Sequence, residues 1–178
     1  MMLDPGHGGK DAGTWPRHST TYPEKTLVLD IAMQIGQILA ARNVRVIMTR
    51  RSDVYPSLEQ RSVMADRSGA DLFVSIHVNS APRNRSASGV EAHIYTQATS
   101  TSSRAAQCIV AALKRSGIKT RAIQRSDFHV LREHSRPAVL MECGFLTNPQ
   151  DAAALNNGAY RAKLAAAIAE GIADFLAQ

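Results

Sequence analysis

Short apolar runs alternate along this chain with longer segments whose apolar residues recur at helical spacing. The runs that predict strands are residues 2–4, NVRVIMTR, ADLFVSIHVNS, GVEAHIYT, RPAVLMECG and, as a short extra strand, DFHVLRE. Strands that alternate with helices favour an α/β fold in which helices join parallel strands. We therefore predict a single α/β domain with a mostly parallel, twisted sheet of about six strands, flanked by helices on both faces.

Four segments are predicted to be helices: EKTLVLDIAMQIGQILAAR, PSLEQRSVMADRSG, SSRAAQCIVAALKRSG and AYRAKLAAAIAEGIADFLA. The first carries an amphipathic stripe of apolar residues at positions 27, 28, 31, 35, 38 and 39. The second begins with Ser57 and has Gln60 three residues later, which is typical of a capping box. Gly69 and Gly117 suit the C-terminal caps of the second and third helices.

A chain of 178 residues with 44% apolar residues can bury the core of one domain. No apolar run approaches the roughly 18 residues that a membrane span needs. No secretory signal precedes Asp4, so the chain as written is expected to be intracellular, or a mature or trimmed domain. Cys108 and Cys143 form no CxxC pair and are predicted to be buried thiols, although spacing alone leaves one bridge between them open.

The net charge of +6 is spread along the chain, with local pairs such as Arg50 and Arg51. Nucleic-acid interfaces usually show a basic stripe interleaved with aromatic residues, and only 5% of this chain is aromatic. The pattern therefore favours an ordinary charged surface, with a general attraction to polyanions, over a nucleic-acid interface.

Three side chains able to bind a metal lie at the ends of predicted strands. His7 follows the first strand, His77 ends DLFVSI, and Glu142 lies in RPAVLMECG. Parallel strands end at one edge of a sheet, where ligands bind, and Glu24 opens the helix expected to start near that edge. Two imidazoles and a carboxylate are a common set of zinc ligands, although their wide sequence spacing forms no compact motif. The alternative for each histidine is a loop side chain that is hydrogen-bonded to the backbone.

His77 and Glu142 each interrupt a buried apolar run, where a polar group without a partner is costly. A backbone hydrogen bond or a metal would satisfy His77. Burial should raise the pKa of Glu142, so that it could accept a proton from an activated water near neutral pH. The alternative is a structural carboxylate paired with Arg132 or Arg136.

Glycines at positions 6, 8 and 9 let the backbone turn sharply and approach closely while it aims the ring of His7. Three further histidines have weaker signals. His93 lies on an alternating strand and is predicted to be at the surface or half-buried. His129 and His134 lie close in sequence to the strand of Glu142 and could line a substrate groove.

Six segments, in order along the chain, resemble the zinc-dependent N-acetylmuramoyl-L-alanine amidases of the Amidase 3 group. They are LDPGHGGKDAGT, EKTLVLDIA, TRRSDVYPSLEQRSVMAD, SIHVNS, GVEAHIY and VLMECGFLTNPQDAAAL. That group includes bacterial cell-separation amidases and phage endolysins. The resemblance implies one Zn²⁺ held by His7, Glu24 and His77, with Glu142 as the catalytic acid/base. It also implies that residues 1–178 form a catalytic domain, which cleaves the amide between the lactyl group of N-acetylmuramic acid and L-alanine.

The resemblance further implies that the partner is peptidoglycan, without nucleic-acid binding or membrane insertion. No long apolar surface stripe requires a second subunit, so a monomer is expected. The site of action would be the periplasm or cell envelope, or the chain would be a phage endolysin released from the host cytoplasm.

Two features depart from the family pattern. The first strand is short, and only NSAPRNRSASG separates the strand of His77 from GVEAHIY. Cell-separation members often carry an autoinhibitory helical insert there, so an uninhibited, endolysin-like form is expected. The alternative functions are a zinc peptidase that cuts within the stem peptide and a non-catalytic peptidoglycan-binding protein. Glu142 argues against the latter, because a binding protein needs no general base.

Overall fold

Six strands form one sheet in the computed structural model, which describes residues 1–15 and 22–178. The strands are β1 Met2–Pro5, β2 Ile47–Met48, β3 Phe73–Asn79, β4 Glu91–Tyr95, β5 Gln124–Ser126 and β6 Ala138–Phe145. The helices are α1 Glu24–Ala41, α2 Leu58–Arg67, α3 Ser100–Arg115, α4 His129–Arg132, α5 Pro149–Asn156 and α6 Gly158–Leu176.

The strand order across the sheet is β2-β1-β3-β6-β4-β5. All neighbouring strands are parallel except β4 and β6, which are antiparallel. The exception follows from the link between β3 and β4, residues 80–90, which contains no helix to return the chain to the opposite edge. The prediction of a single α/β domain with a mostly parallel sheet is confirmed.

Side chains on a strand alternate between the two faces of the sheet, and both faces are covered. Leu3, Val74 and Val139 belong to the larger apolar cluster, which includes the buried sides of α1, α3 and α6. Met2 and Phe73 belong to a second cluster beneath α2 and α4. The second face carries the functional side chains described below, because His77 and Glu142 alternate in phase with it.

Several local predictions are confirmed. The side chains of Ser57 and Gln60 form the capping box at the start of α2. Gly69 and Gly117 follow α2 and α3 with φ values of +64° and +67°. Cys143 is buried as predicted, whereas Cys108 is only partly buried, and both are free thiols. No helix within the described residues is long and apolar enough to cross a membrane.

The prediction of a strand at DFHVLRE is wrong, because residues 129–132 form the single turn α4 and the short strand β5 lies earlier. Val130 and Leu131 are both buried and both belong to the second cluster. In a strand, two consecutive side chains would point to opposite faces, whereas a helical turn directs both towards the sheet. Helix α5 was not predicted, although Asn148 caps it and Pro149 occupies its first turn.

Candidate metal centre

His7, Glu24 and His77 each bring one ligand atom to within 4.8 Å of the others. His7 Nε2 lies 3.0 Å from Glu24 Oε1, and His77 Nδ1 lies 3.1 Å from the same oxygen. Strands β1 and β3 are parallel neighbours, so His7 after β1 and His77 on β3 reach the same edge. Glu24 is the first residue of α1, which begins at that edge.

Glu24 is 3% exposed and is held from several sides. The backbone amides of Thr14 and Val78 donate to its two carboxylate oxygens at 2.8 and 2.9 Å. Burial alone would raise the pKa of Glu24, but the hydrogen bonds from His7 and His77 outweigh it and hold the pKa well below its usual value. These contacts favour the ionised carboxylate, which is the form that binds a metal.

Two glycines allow the backbone to lie directly against the ligand side chains. A Cβ atom on Gly6 would lie 2.2 Å from His77 Cε1, and one on Gly13 would lie 2.6 Å from Glu24 Oε2. Any larger residue would displace a ligand. The prediction for Gly6, Gly8 and Gly9 is confirmed, because Gly8 and Gly9 have positive φ values and a Cβ on Gly8 would lie 2.0 Å from the backbone oxygen of Val54. The part played by Gly13 was missed.

Asp11 orients the ring of His7. Its Oδ2 accepts a hydrogen bond from His7 Nδ1 at 2.8 Å, and its Oδ1 accepts one from the amide of Gly13 at 3.0 Å. A carboxylate on one ring nitrogen orients the ring, so that the other nitrogen, Nε2, points to Glu24 and can bind a metal. Sequence reasoning missed Asp11, although its place four residues after His7 in the same glycine-rich loop was a usable signal.

Two buried arginines fix the loop of His7 from below. Arg61 donates from Nη2 to the backbone oxygen of His7 at 2.7 Å. Arg50 donates from Nη2 to the backbone oxygens of Gly6, at 2.7 Å, and Lys25, at 2.9 Å. Because Lys25 follows Glu24, Arg50 joins two segments that carry ligands.

The charge of Arg61 is balanced by Asp4, which is fully buried. Arg61 Nη1 donates to Asp4 Oδ1 at 2.6 Å, and the hydroxyls of Thr49 and Ser75 donate to the same carboxylate at 2.6 and 2.7 Å. A buried ion pair is tolerated when its remaining hydrogen-bonding capacity is met in this way.

Glu142 lies on β6 in register with His77 on β3 and with Glu91 on β4, all on the face covered by α2 and α4. Its Oε2 is buried and has no hydrogen-bond partner within residues 1–15 and 22–178. Burial raises the pKa of Glu142 to about 7. The group is therefore suited to exchange a proton near neutral pH.

The alternative in which Glu142 is a structural ion-pair partner is wrong. Arg132 instead binds Asp127 and Glu133, and Arg136 donates to a backbone oxygen of α2.

One cleft of about 600 Å³ contains the three candidate ligands and Glu142. His129 lies in its wall, as predicted. His134 does not line it, because its Nε2 donates to the backbone oxygen of Val130 at 2.8 Å and its ring packs on Phe73.

The prediction that His93 is at the surface or half-buried is also wrong, since it is 8% exposed. Its Nδ1 is hydrogen-bonded to Ser126 Oγ at 2.8 Å on the edge strand β5. Its ring packs against Phe128, which precedes α4, at a centroid distance of 5.3 Å. His93 is therefore covered by α4 and the residue before it, where the sequence predicted a strand.

The donor set fits a catalytic zinc ion. It offers two imidazole nitrogens and one ionised carboxylate oxygen, whereas structural zinc sites are closed by four protein ligands. The site also opens onto a cleft, so that a substrate or water can reach it.

Comparison with known proteins gives a consistent result. The family described as N-acetylmuramoyl-L-alanine amidase matches residues 1–174. The endolysin of Bacillus phage SPP1 is 39% identical over 99% of this chain and 65% of its own length. The sporulation-specific N-acetylmuramoyl-L-alanine amidase of Bacillus subtilis is 35% identical over 97% of this chain and 66% of its own length. The chain thus spans about two thirds of these two curated relatives.

Solved structures agree with this fold. The N-acetylmuramoyl-L-alanine amidase from Clostridium difficile 630 superposes with a TM-score of 0.94 at 37% identity, covering 99% of this chain and 96% of that chain. The amidase AmiC2 of Nostoc punctiforme superposes with a TM-score of 0.92 at 32% identity, covering 99% and 96%.

Proposed function

The chain belongs to the N-acetylmuramoyl-L-alanine amidase family, and on that premise we propose that it hydrolyses the amide bond between N-acetylmuramic acid and L-alanine in peptidoglycan. Residues 1–178 would form the catalytic unit, with His7, Glu24 and His77 as the ligands of one Zn²⁺ and Glu142 as the acid/base. The supporting observation is that these three donors converge in the same cleft as an unpartnered buried carboxylate oxygen.

Zinc in this donor set would supply Lewis acidity to the amide carbonyl and acidify a water molecule. The surrounding residues hold the metal-binding atoms in position. Asp11 accepts the Nδ1 proton of His7, so that Nε2 faces Glu24. The arginines beneath the loop restrain the backbone on both sides of this histidine. A rigid donor set reduces the rearrangement that metal binding requires.

Glu142 would move the proton of the reaction. It accepts a proton from the attacking water as the new carbon–oxygen bond forms at the lactyl carbonyl. It then delivers that proton to the nitrogen of L-alanine as the carbon–nitrogen bond breaks, and a free amine leaves. A pKa near the working pH serves both transfers, because the carboxyl group must both gain and lose the proton in one cycle.

Digestion of purified peptidoglycan tests this function. The products, measured by mass spectrometry, should contain intact stem peptides with a free L-alanine amine. A chelator should abolish product formation and added Zn²⁺ should restore it. Cleavage inside the stem peptide would favour the peptidase alternative, and sedimentation with peptidoglycan without any product would favour a binding protein.

Two variants separate metal binding from chemistry. His77→Ala should lose stoichiometric zinc, while Glu142→Gln should keep zinc and the fold but lose turnover by at least about 100-fold. One zinc per chain with full activity in His77→Ala would contradict the ligand assignment. Near-normal turnover in Glu142→Gln would remove that residue from the mechanism.

The place of action is part of the proposal. One relative is named a phage endolysin and another a sporulation-specific amidase. We propose that this chain acts as a monomer on the cell wall, either from the envelope or after release as an endolysin. The net charge of +6 would add a weak attraction to anionic wall polymers, which should decrease as salt is added.

A further inference from the structure

The order of the strands in the sheet defines two opposite sides of the cleft. The candidate ligands lie over β1 and β3, Glu142 lies on the next strand, β6, and β4 follows. Leu140 precedes Glu142 by two residues on the same face and is paired with His93 of β4. The ring of Phe128 packs on His93. Phe128 therefore lies beyond Glu142, on the side away from the candidate ligands.

An apolar patch lies on this far side of the cleft. Leu140 and Val130 form its floor, each 4% exposed, and Phe128 forms its wall, 39% exposed. Two polar side chains border this patch: His129 lines the cleft, and Asn79, which also lines it, donates to Glu91 of β4 at 3.0 Å. The opposite side contains Asp11 and other polar groups of the glycine-rich loop.

The proposed reaction orients its substrate between these two sides. The lactyl carbonyl must lie at the candidate ligands, and the departing nitrogen must lie near Glu142, which protonates it. The group attached to that nitrogen, the α-carbon and methyl of L-alanine, then continues towards Phe128. The sugar on the carbonyl side extends the other way.

We propose that Phe128, with Leu140 and Val130, forms the subsite that recognises the side chain of the residue whose amine is released. This inference rests on the proposed function and deepens it. The wall and floor exclude water from a small apolar side chain. A substrate with a methyl group at this position should therefore react with a higher kcat/KM than one without it. The exposed ring of Phe128 then determines specificity rather than stability.

The test compares two substrates that differ by one methyl group. One is muramyl dipeptide, in which N-acetylmuramic acid carries L-alanine and D-isoglutamine, and the other has glycine in place of L-alanine. Burial of one methyl group predicts that the protein prefers L-alanine by about four- to tenfold in kcat/KM. Phe128→Ala should reduce that preference to less than about twofold, while Phe128→Leu should retain it.

Leu58 supplies a matched control. It is an exposed apolar residue in the same cleft, at the start of α2. Leu58→Ala should keep the preference for L-alanine over glycine, whatever its effect on the overall rate.

A change on the other side of the amide gives an independent comparison. A lactoyl dipeptide lacks the sugar but keeps the carbonyl and the L-alanine. Loss of the sugar should reduce kcat/KM by the same factor in the unmodified protein and in Phe128→Ala. If Phe128→Ala instead removed the dependence on the sugar, the ring would contact the sugar and the proposal would be overturned. An unchanged preference for L-alanine in Phe128→Ala, or no preference in the unmodified protein, would overturn it too.

Failure of the proposed function would look different, because no dipeptide amine would be released from either substrate. In that case the affinities of Glu142→Gln and of Glu142→Gln/Phe128→Ala for the two dipeptides, measured by calorimetry, decide the question. A preference for the alanine dipeptide that depends on Phe128 supports the subsite, and equal affinities overturn it.

Discussion

Replacement of Glu142 by glutamine should stabilise the metal-free protein while it abolishes turnover. Burial raises the pKa of this carboxyl from 4.5 to about 7, a rise of about 2.5 units. Each unit corresponds to about 1.4 kcal/mol, so ionisation of Glu142 destabilises the fold by up to about 3 kcal/mol above pH 7. Glutamine has nearly the same shape and cannot ionise.

The sign of the pH dependence follows from the two states. Between pH 4.5 and 7 the unfolded chain has released the proton of Glu142 while the folded chain keeps it, so stability falls as pH rises through that window. Glutamine is insensitive to this change. The variant should therefore be more stable by about 1–3 kcal/mol at pH 8, and by less than about 1 kcal/mol at pH 5.

Urea unfolding of chelator-treated protein at the two pH values measures this difference, and Tm at pH 8 should rise by about 2–10 °C. Glu170→Gln is the control, because that carboxylate pairs with Arg115 on an exposed surface, where solvent screens the pair and its loss should change stability little at either pH. A variant no more stable than the parent at pH 8, or a difference independent of pH, would show that burial does not raise the pKa of Glu142.

Three other substitutions test the support of the site. Gly6→Ala should weaken zinc binding at least about tenfold in competition with a chelator, because its Cβ meets a ligand ring; Gly69→Ala, with open space around it, should leave zinc affinity unchanged. Asp11→Ala should weaken zinc binding about 10- to 100-fold at unchanged ligand number, and an unaltered affinity would show that ring orientation does not matter. Arg61→Met should lower the free energy of unfolding by about 3–5 kcal/mol in urea, because Asp4 keeps a buried charge without its partner; a loss under about 1 kcal/mol would contradict this.

The positions of the candidate ligands could be predicted because topology alone carries them to one place. His7 and His77 follow or end parallel neighbouring strands, and Glu24 starts the helix that leaves the same edge. That inference needs only the alternation of strands and helices along the chain. It does not need the side-chain contacts that decide the final geometry.

The supporting residues could not be predicted in the same way. Arg50 and Arg61 bind backbone oxygens of a loop more than 40 residues away in sequence, and nothing local in the sequence marks such a contact. The strand predicted at DFHVLRE failed because Val130 and Leu131 both face the core, which a pattern of period two does not allow. The wrong prediction for the burial of His93 followed from that error, since α4 and the preceding Phe128 cover its face of the sheet.

Anomalous diffraction at the zinc absorption edge, from crystals grown with Zn²⁺, would locate the metal and identify its ligands. We expect one anomalous peak, bound by His7 Nε2, His77 Nδ1 and the Glu24 carboxylate. A peak elsewhere on the molecule, or none with zinc present in excess, would contradict this expectation.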